Sequence, residues 1–208
     1  VKKAIAAGKH VLCEKPLAPT PKQTVELFEA AKEKGVFLME AYAYLHSPFV
    51  TALKKEIEEG NWIFLGGDFN EPSHFDWIET TKDSADHHEV VVPWPVTTLL
   101  HEAGFKDSYR EKYPNPVTHP GYTYPSDNLA LPPNKITWTP DADERDRIDY
   151  IFYYPRKGLH LKEAAILGPK TSIRRSQRVA ESGQDVFIKP LGVWPTDHKA
   201  VWVNFQMR

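Results

Sequence analysis

Asp68 and Asn70 stand one residue apart in the stretch WIFLGGDFNEP, at the end of an apolar run from Trp62 to Leu65 that reads as a buried strand. On an extended chain, residues i and i+2 point to the same side. A carboxylate and an amide would therefore face one site. An ionised Asp offers lone pairs to a metal or a water, and an Asn offers both a donor and an acceptor. Such a pair at the carboxyl end of a strand suits positioning a water beside a phosphate. The same letters are good turn chemistry, and both readings stay open on these residues alone.

Two further segments carry chemistry. DRIDYIFYY places Asp149 alone inside an apolar run, where a carboxylate is costly unless paired or hydrogen-bonded. WPTDHKAVWV sets Asp197 and His198 just before a last apolar run. Taken together they suggest one site: a metal-binding carboxylate, a His that can carry charge, and a buried Asp149 to orient it. Each one singly is also explained as a satisfied polar residue at a strand end.

Other clusters weigh less. Asp86, His87, His88 and Glu89 lie together in DSADHHEV but lack zinc-type spacing, so a solvated loop is expected. Trp77, Trp94 and Trp138 would pack in a core or line a groove. Arg174, Arg175 and Arg178 form a basic group suited to phosphate or to a solvated face. A single cysteine, Cys13, excludes an internal disulfide.

The elements that must position these residues change character near Gly60. Residues 1–60 contain no Asp and no Trp, while all six Trp and most prolines follow. The first part alternates helix and strand. A helix ends near Ala7 with Gly8 as its stop, and His10 to Cys13 forms a short strand. Thr20, Pro21 and Gln23 spell a helix start with a capping box, and Val25, Phe28 and Ala31 share one face of that helix. VFLMEAYAY (36–44) is a strand. A helix from Phe49 to Glu59 turns Val50, Leu53 and Ile57 inward. In the second part NWIFLGG (61–67), RIDYIFYY (147–154), EAAILG (163–168) and AVWVNFQM (200–207) are predicted strands. VTTLLHEAG (96–104) is a predicted helix, and Tyr113 to Pro140 reads as surface loop.

The 208 residues carry 26 basic and 28 acidic side chains, a net charge of -2. That balance exerts no global pull toward nucleic acid or anionic membrane, so nucleic acid stays open as a partner but is not indicated by charge. No run of roughly 18 apolar residues offers a membrane span. No signal peptide is visible, and the chain begins at Val1 without Met, so no compartment is assigned. A homo-oligomer is compatible with these features.

The order G-D-F-N, R-I-D-Y-I and T-D-H-K-A-V resembles the endonuclease/exonuclease/phosphatase (DNase I-like) superfamily over about residues 61–208. The resemblance implies a phosphate-ester substrate and divalent-metal-dependent hydrolysis by an activated water. Asp68 would position or deprotonate that water, and Asn70 would hydrogen-bond the phosphate. Asp149 would pair with the ring of His198, and His198 would contact a phosphate oxygen. Asp197 would sit at or beside the metal, Mg²⁺ or Mn²⁺, as carboxylate chemistry favours. The family's earlier half, with its own metal-binding Glu, is not recognisable, so impaired turnover is expected.

Residues 1–60 instead resemble the glucose-fructose oxidoreductase/inositol dehydrogenase (Gfo/Idh/MocA) family, on AGKHVLCEKPLA and LMEAYAY. There Lys15 would help bind the NAD(P) cofactor and substrate. That family's glycine-rich phosphate turn would fall before Val1, and without it dinucleotide binding is not expected. The fold class expected is thus α/β: half of a DNase I-like α/β sandwich preceded by a partial Rossmann-type βα segment, with domains 1–60 and 61–208. An NAD(P)-dependent oxidoreductase fragment and a non-catalytic chimera are the alternatives. Glu14 or Glu40 standing in for the absent metal Glu is a further expectation, weaker than the place each already has in the oxidoreductase pattern.

Overall fold

The computed structural model describes residues 1–14, 17–18, 20–41 and 48–208, with the backbone alone at 14, 21, 40, 41 and 48–50. It is a mixed α/β chain that divides into two compact units, Val1–Glu59 and Gly60–Arg208.

The first unit runs α1 (Lys2–Ala6), β1 (Val11–Glu14), α2 (Pro21–Glu33), β2 (Leu38–Ala41) and α3 (Pro48–Glu58). β1 and β2 pair in parallel, Val11 opposite Leu38. Parallel neighbours need a crossover, and α2 supplies it: this is a Rossmann-type βα segment. Thr20 accepts the Gln23 N–H at 3.3 Å, so the N-cap forms, and Pro21 takes the first helical position. Gln23 answers through its side-chain oxygen, which accepts from the Thr20 hydroxyl at 3.1 Å. The buried face of α2 differs from the expected one. Leu27 and Ala31 enter the core with Ile5, Leu17 and Leu38, whereas Val25 and Phe28 are about half exposed. Leu27 and Ala31 are an i, i+4 pair on one stripe, and Phe28 and Val25 lie about 100° and 160° round the helix from Leu27. Leu53 and Ile57 of α3 are half-buried, while the Val50 side chain lies outside the described residues.

The second unit continues with β3 (Phe64–Asp68), α4 (Pro95–Glu102), β4 (Lys106–Asp107), α5 (Ser108–Lys112), β5 (Asp149–Tyr153), β6 (Leu159–Leu167), β7 (Thr171–Arg174), β8 (Gln177–Ala180), β9 (Phe187–Ile188) and β10 (Ala200–Met207). Two three-stranded sheets form, in the orders β3-β5-β4 and β10-β6-β9, beside a β7-β8 hairpin. Phe205 of β10 meets Phe64 of β3 and Tyr153 of β5, both with ring centroids 5.0 Å apart. The rings thus join the two sheets. β3 is not the buried strand its apolar letters suggest: all its residues but half-buried Leu65 are exposed. It is an edge strand, paired only with β5 among the described residues.

The stretch expected as surface loop, Tyr113 to Pro140, is irregular and exposed toward its ends, but its middle, residues 121–128, is interior. Thr123, Ser126, Asp127 and Asn128 are buried. Buried backbone must be hydrogen-bonded, and here isolated bridges serve, Tyr124 with Asp146 and Ser126 with Ser172. Gly121, at φ +68, admits nothing larger: a Cβ there would lie 2.6 Å from Tyr109 Cε1.

An ion network locks the unit. Asp76 Oδ1 accepts from Arg110 Nε at 2.5 Å, and Asp76 Oδ2 accepts from Arg147 Nε at 2.8 Å. Arg147 also pairs with Asp107 at 2.7 Å. Asp107 in turn caps α5, accepting from the Tyr109 and Arg110 amides. All four side chains are buried. Removing one partner of such a pair strands a buried charge. Arg147→Ala is therefore expected to cost about 3–5 kcal/mol in the unfolding of the second unit, read by chemical denaturation of the full chain. A loss under about 1 kcal/mol, typical of exposed pairs, would contradict this account.

Candidate functional site

The antiparallel register of β3 and β5 sets Asp68 opposite Asp149. β10 begins two residues after His198, and His198 Nδ1 lies 2.9 Å from Asp149 Oδ2. Asp68, Asp149 and His198 each offer a ligand atom within 4.8 Å of the others. No other group of three His, Cys, Asp or Glu side chains does so among the described residues. Asp68 is exposed, and the other two are half-buried.

Burial pushes the Asp149 carboxyl up, and Asp68 adds to the rise; the hydrogen bonds from His198 and Thr123 oppose it. The Tyr124 ring sits 4.9 Å from the His198 ring. Trp194 Nε1 donates to the His198 carbonyl at 2.6 Å. The imidazole is thus held by a carboxylate, an aromatic face and its own anchored backbone. A carboxylate against one ring nitrogen leaves the other free for proton exchange or contact with an anion.

The remaining sequence-derived candidates fall in different places. Asn70 is not on the strand: β3 ends at Asp68, and Asn70 has φ +50. Its backbone N–H donates to Asp68 Oδ1 at 2.8 Å. The turn chemistry is therefore realised beside the site, because Asx turns satisfy the chain after a strand end. Asp197 neighbours His198 but stands outside the group of three; its Oδ1 accepts from the Thr196 hydroxyl at 3.2 Å. Lys15 and the side chains of Glu14 and Glu40 lie outside the described residues.

The clusters given less weight are absorbed by the fold. His87 is buried and stacks on Trp77 at 3.9 Å, so the DSADHHEV segment is not simply a solvated loop. Burial lowers the His87 pKa. Asp86 pairs with Arg175, and Asp127 with Arg178. Trp94 meets Trp77 edge-on, while Trp138 is 82% exposed. Short side chains missed in the sequence support the site: Thr123 accepts the amides of Ile148 and Asp149 at 3.0 and 3.2 Å. A hydroxyl in a buried irregular segment leaves no periodic signal.

A cavity of about 380 Å³ opens elsewhere in the unit, lined by Asp76, His87, Arg110, Arg145, Asp146 and Glu181 among others. Its cations are already spent. Arg110 binds Asp76 and three backbone carbonyls, and Arg145 binds Asp143 and Glu181.

Residues 1–42 match the family model described as oxidoreductase family, NAD-binding Rossmann fold. An uncharacterised protein of Caenorhabditis elegans, F14F9.5, is 40% identical over 112 residues, covering 54% of this chain and 34% of that protein. That match is longer than the first unit, Val1–Glu59, so at least part of it lies in the second. Levoglucosan dehydrogenase of Pseudarthrobacter phenanthrenivorans is 46% identical over 57 residues, 27% of this chain and 15% of that protein. The scyllo-inositol 2-dehydrogenase (NADP+) IolU of Bacillus subtilis is 50% identical over 52 residues, 25% of this chain and 16% of that protein. The chain spans about a third or less of the length of these curated relatives. No solved structure matches.

Burial lifts the Asp146 carboxyl from its ordinary 3.8 to about 8, although Trp77 Nε1 donates to both its oxygens. An acid raised in this way is protonated when folded and ionised when unfolded, so stability falls as pH climbs from about 4 to about 8. Asp149 and Asp185 are raised with the same sign. Urea midpoints of the full chain at about pH 5 and about pH 8 should show the decline, and Asp146→Asn should reduce it. An unchanged slope in that variant would remove Asp146 as its source.

The matched residues carry the parallel β1-α2-β2 crossover, and the N-terminal segment is a Rossmann-type fragment of the Gfo/Idh/MocA oxidoreductase family.

Proposed function

We propose that the second unit is a divalent-metal-dependent phosphoesterase scaffold, hydrolysing a phosphate ester or diester with an activated water. The observation that carries this reading is the 2.9 Å contact of His198 Nδ1 with Asp149 Oδ2, with Asp68 in the same cluster. Its architectural part is half of a DNase I-like α/β sandwich, supported by two small sheets that meet through Phe64, Tyr153 and Phe205.

In this reading Asp68, the exposed member, positions the water or takes its proton. Asp149 holds the His198 ring, leaving the far nitrogen for a phosphate oxygen as charge develops there. Asn70, tied to Asp68 through its backbone N–H, contributes its side-chain amide to the phosphate. The donor set fits a hard or borderline divalent ion: Asp68 and Asp149 supply carboxylate oxygen, with Asp197 nearby to bind through water. Such an ion, Mg²⁺ or Mn²⁺, would act as a Lewis acid on the phosphoryl oxygen.

A second reading is favoured by the match of residues 1–42 to an NAD-binding family and by relatives named as dehydrogenases. In it the first unit contributes to NAD(P) binding through Lys15, and the chain is a fragment of an oxidoreductase. The names of the relatives support this alternative, and none supports hydrolysis.

Hydrolysis of bis-p-nitrophenyl phosphate by the full chain, with and without Mg²⁺ or Mn²⁺, separates the readings. Metal-dependent turnover is expected, with a loss of at least about 100-fold in the Asp68→Ala/His198→Ala double variant, since positioned acid–base groups contribute on that order. A folded preparation without turnover would sink the phosphoesterase reading. A thermal shift with NADP⁺ but not with metal would favour the oxidoreductase fragment.

A further inference from the structure

We propose that Thr123 is the positioning residue that sets the Asp149–His198 pair, by gripping the two chain segments that carry it. Thr123 is fully buried and belongs to neither segment. Its hydroxyl oxygen accepts the N–H of Ile148 at 3.0 Å and of Asp149 at 3.2 Å. These contacts fix the first residue of β5, where the site carboxylate is mounted. Its carbonyl accepts the N–H of Lys199 at 2.7 Å, which fixes the residue after His198. Its own N–H donates to Asp146 at 3.0 Å. One residue thus spans both halves of the pair.

The neighbours of Thr123 repeat the grip. Tyr124 exchanges backbone hydrogen bonds with Asp146 and lays its ring against His198. Ser126 N–H donates to the Asp197 carbonyl at 2.5 Å. Lys199, after leaving Thr123, turns inward and donates to Ser172 at 2.5 Å. The carboxylate and the imidazole come from sequence positions 49 apart. Their hydrogen bond is held at working length only if both backbones are fixed to a common support, and the segment around Thr123 provides it.

The importance of Thr123 for hydrolysis rests on the phosphoesterase reading; its effect on the pair does not. The test compares Thr123→Ser and Thr123→Val in the full chain by proton NMR. It follows the low-field proton shared by His198 Nδ1 and Asp149 Oδ2, assigned by its absence in His198→Ala. Ser keeps the acceptor and is expected to keep the signal. Val matches the shape without the hydroxyl, losing both the acceptor for the two amides and the hydrogen bond to the Asp149 carboxyl, and is expected to lose the signal while the other strand amides stay dispersed. Metal-dependent turnover, where present, should fall on the order of 100-fold in Val, mainly in kcat, as misplacement of about 1 Å does.

A folded Thr123→Val protein with the wild-type signal would overturn the proposal. Where Val does not fold, amide exchange in the wild-type chain decides. Protection of Ile148 and Asp149 comparable to that of Tyr150 and Phe152 supports the grip, and exchange as fast as an open loop overturns it. Absence of turnover in the wild type would sink the phosphoesterase reading and leave the NMR result standing.

Discussion

The second unit depends on a single buried carboxylate with two guanidinium partners. Asp76 comes from the irregular segment after β3, Arg110 from α5, and Arg147 from the approach to β5. None of these groups tolerates burial alone. Each is satisfied only when all three segments are in place, so the network acts as a condition on the fold rather than as one contact among many. Asp107 extends it by pairing with Arg147 and capping α5 with its other oxygen. Hydrophobic burial supplies the driving force, in the cluster of Tyr109, Ala164 and Ile166. The ion network selects which arrangement of segments that burial accompanies.

The site inherits its geometry from this frame. Arg147 stands two residues before Asp149, so fixing the guanidinium also fixes where β5 begins. The register of β3 then decides which residue faces Asp149, and a one-residue slip would put Gly67 there in place of Asp68. The first unit obeys a different logic. Its core of Ile5, Leu17, Leu27, Ala31 and Leu38 is wholly apolar and builds a parallel crossover. The two units therefore differ in composition and also in what specifies them: apolar packing in one, paired charges in the other.

The sequence was most legible where a local rule operates. The Thr20-Pro21 helix start, the glycine stops at Gly8, Gly35 and Gly104 with positive φ, and the β10 run all follow from short-range chemistry. Asp68, Asp149 and His198 could be singled out because a polar group beside an apolar run carries a cost that demands a reason. Other features were not legible because their causes are non-local. Val25 and Phe28 look like core until the packing surface is known, and it lies beneath Leu27 and Ala31. β3 reads as buried from its side chains, yet its place at a sheet edge leaves it open. The segment from Gly121 to Asn128 has loop composition and interior burial, since its backbone groups find partners far along the chain. Asn70 follows β3 but leaves the strand geometry after one residue.

The facing of Asp68 and Asp149 across two strands has a consequence beyond the chemistry of the site. Like charges placed directly opposite in an antiparallel pair work against the pairing. The last rung of β3 is therefore the weakest link of an otherwise ordinary ladder, opposed by the same carboxylates that gather there. Mobile ions screen such repulsion, more strongly for the exposed partner than for the half-buried one. The end of β3 is in this sense a small electrometer: the tightness of its final pair follows the ionic composition of the surrounding solvent.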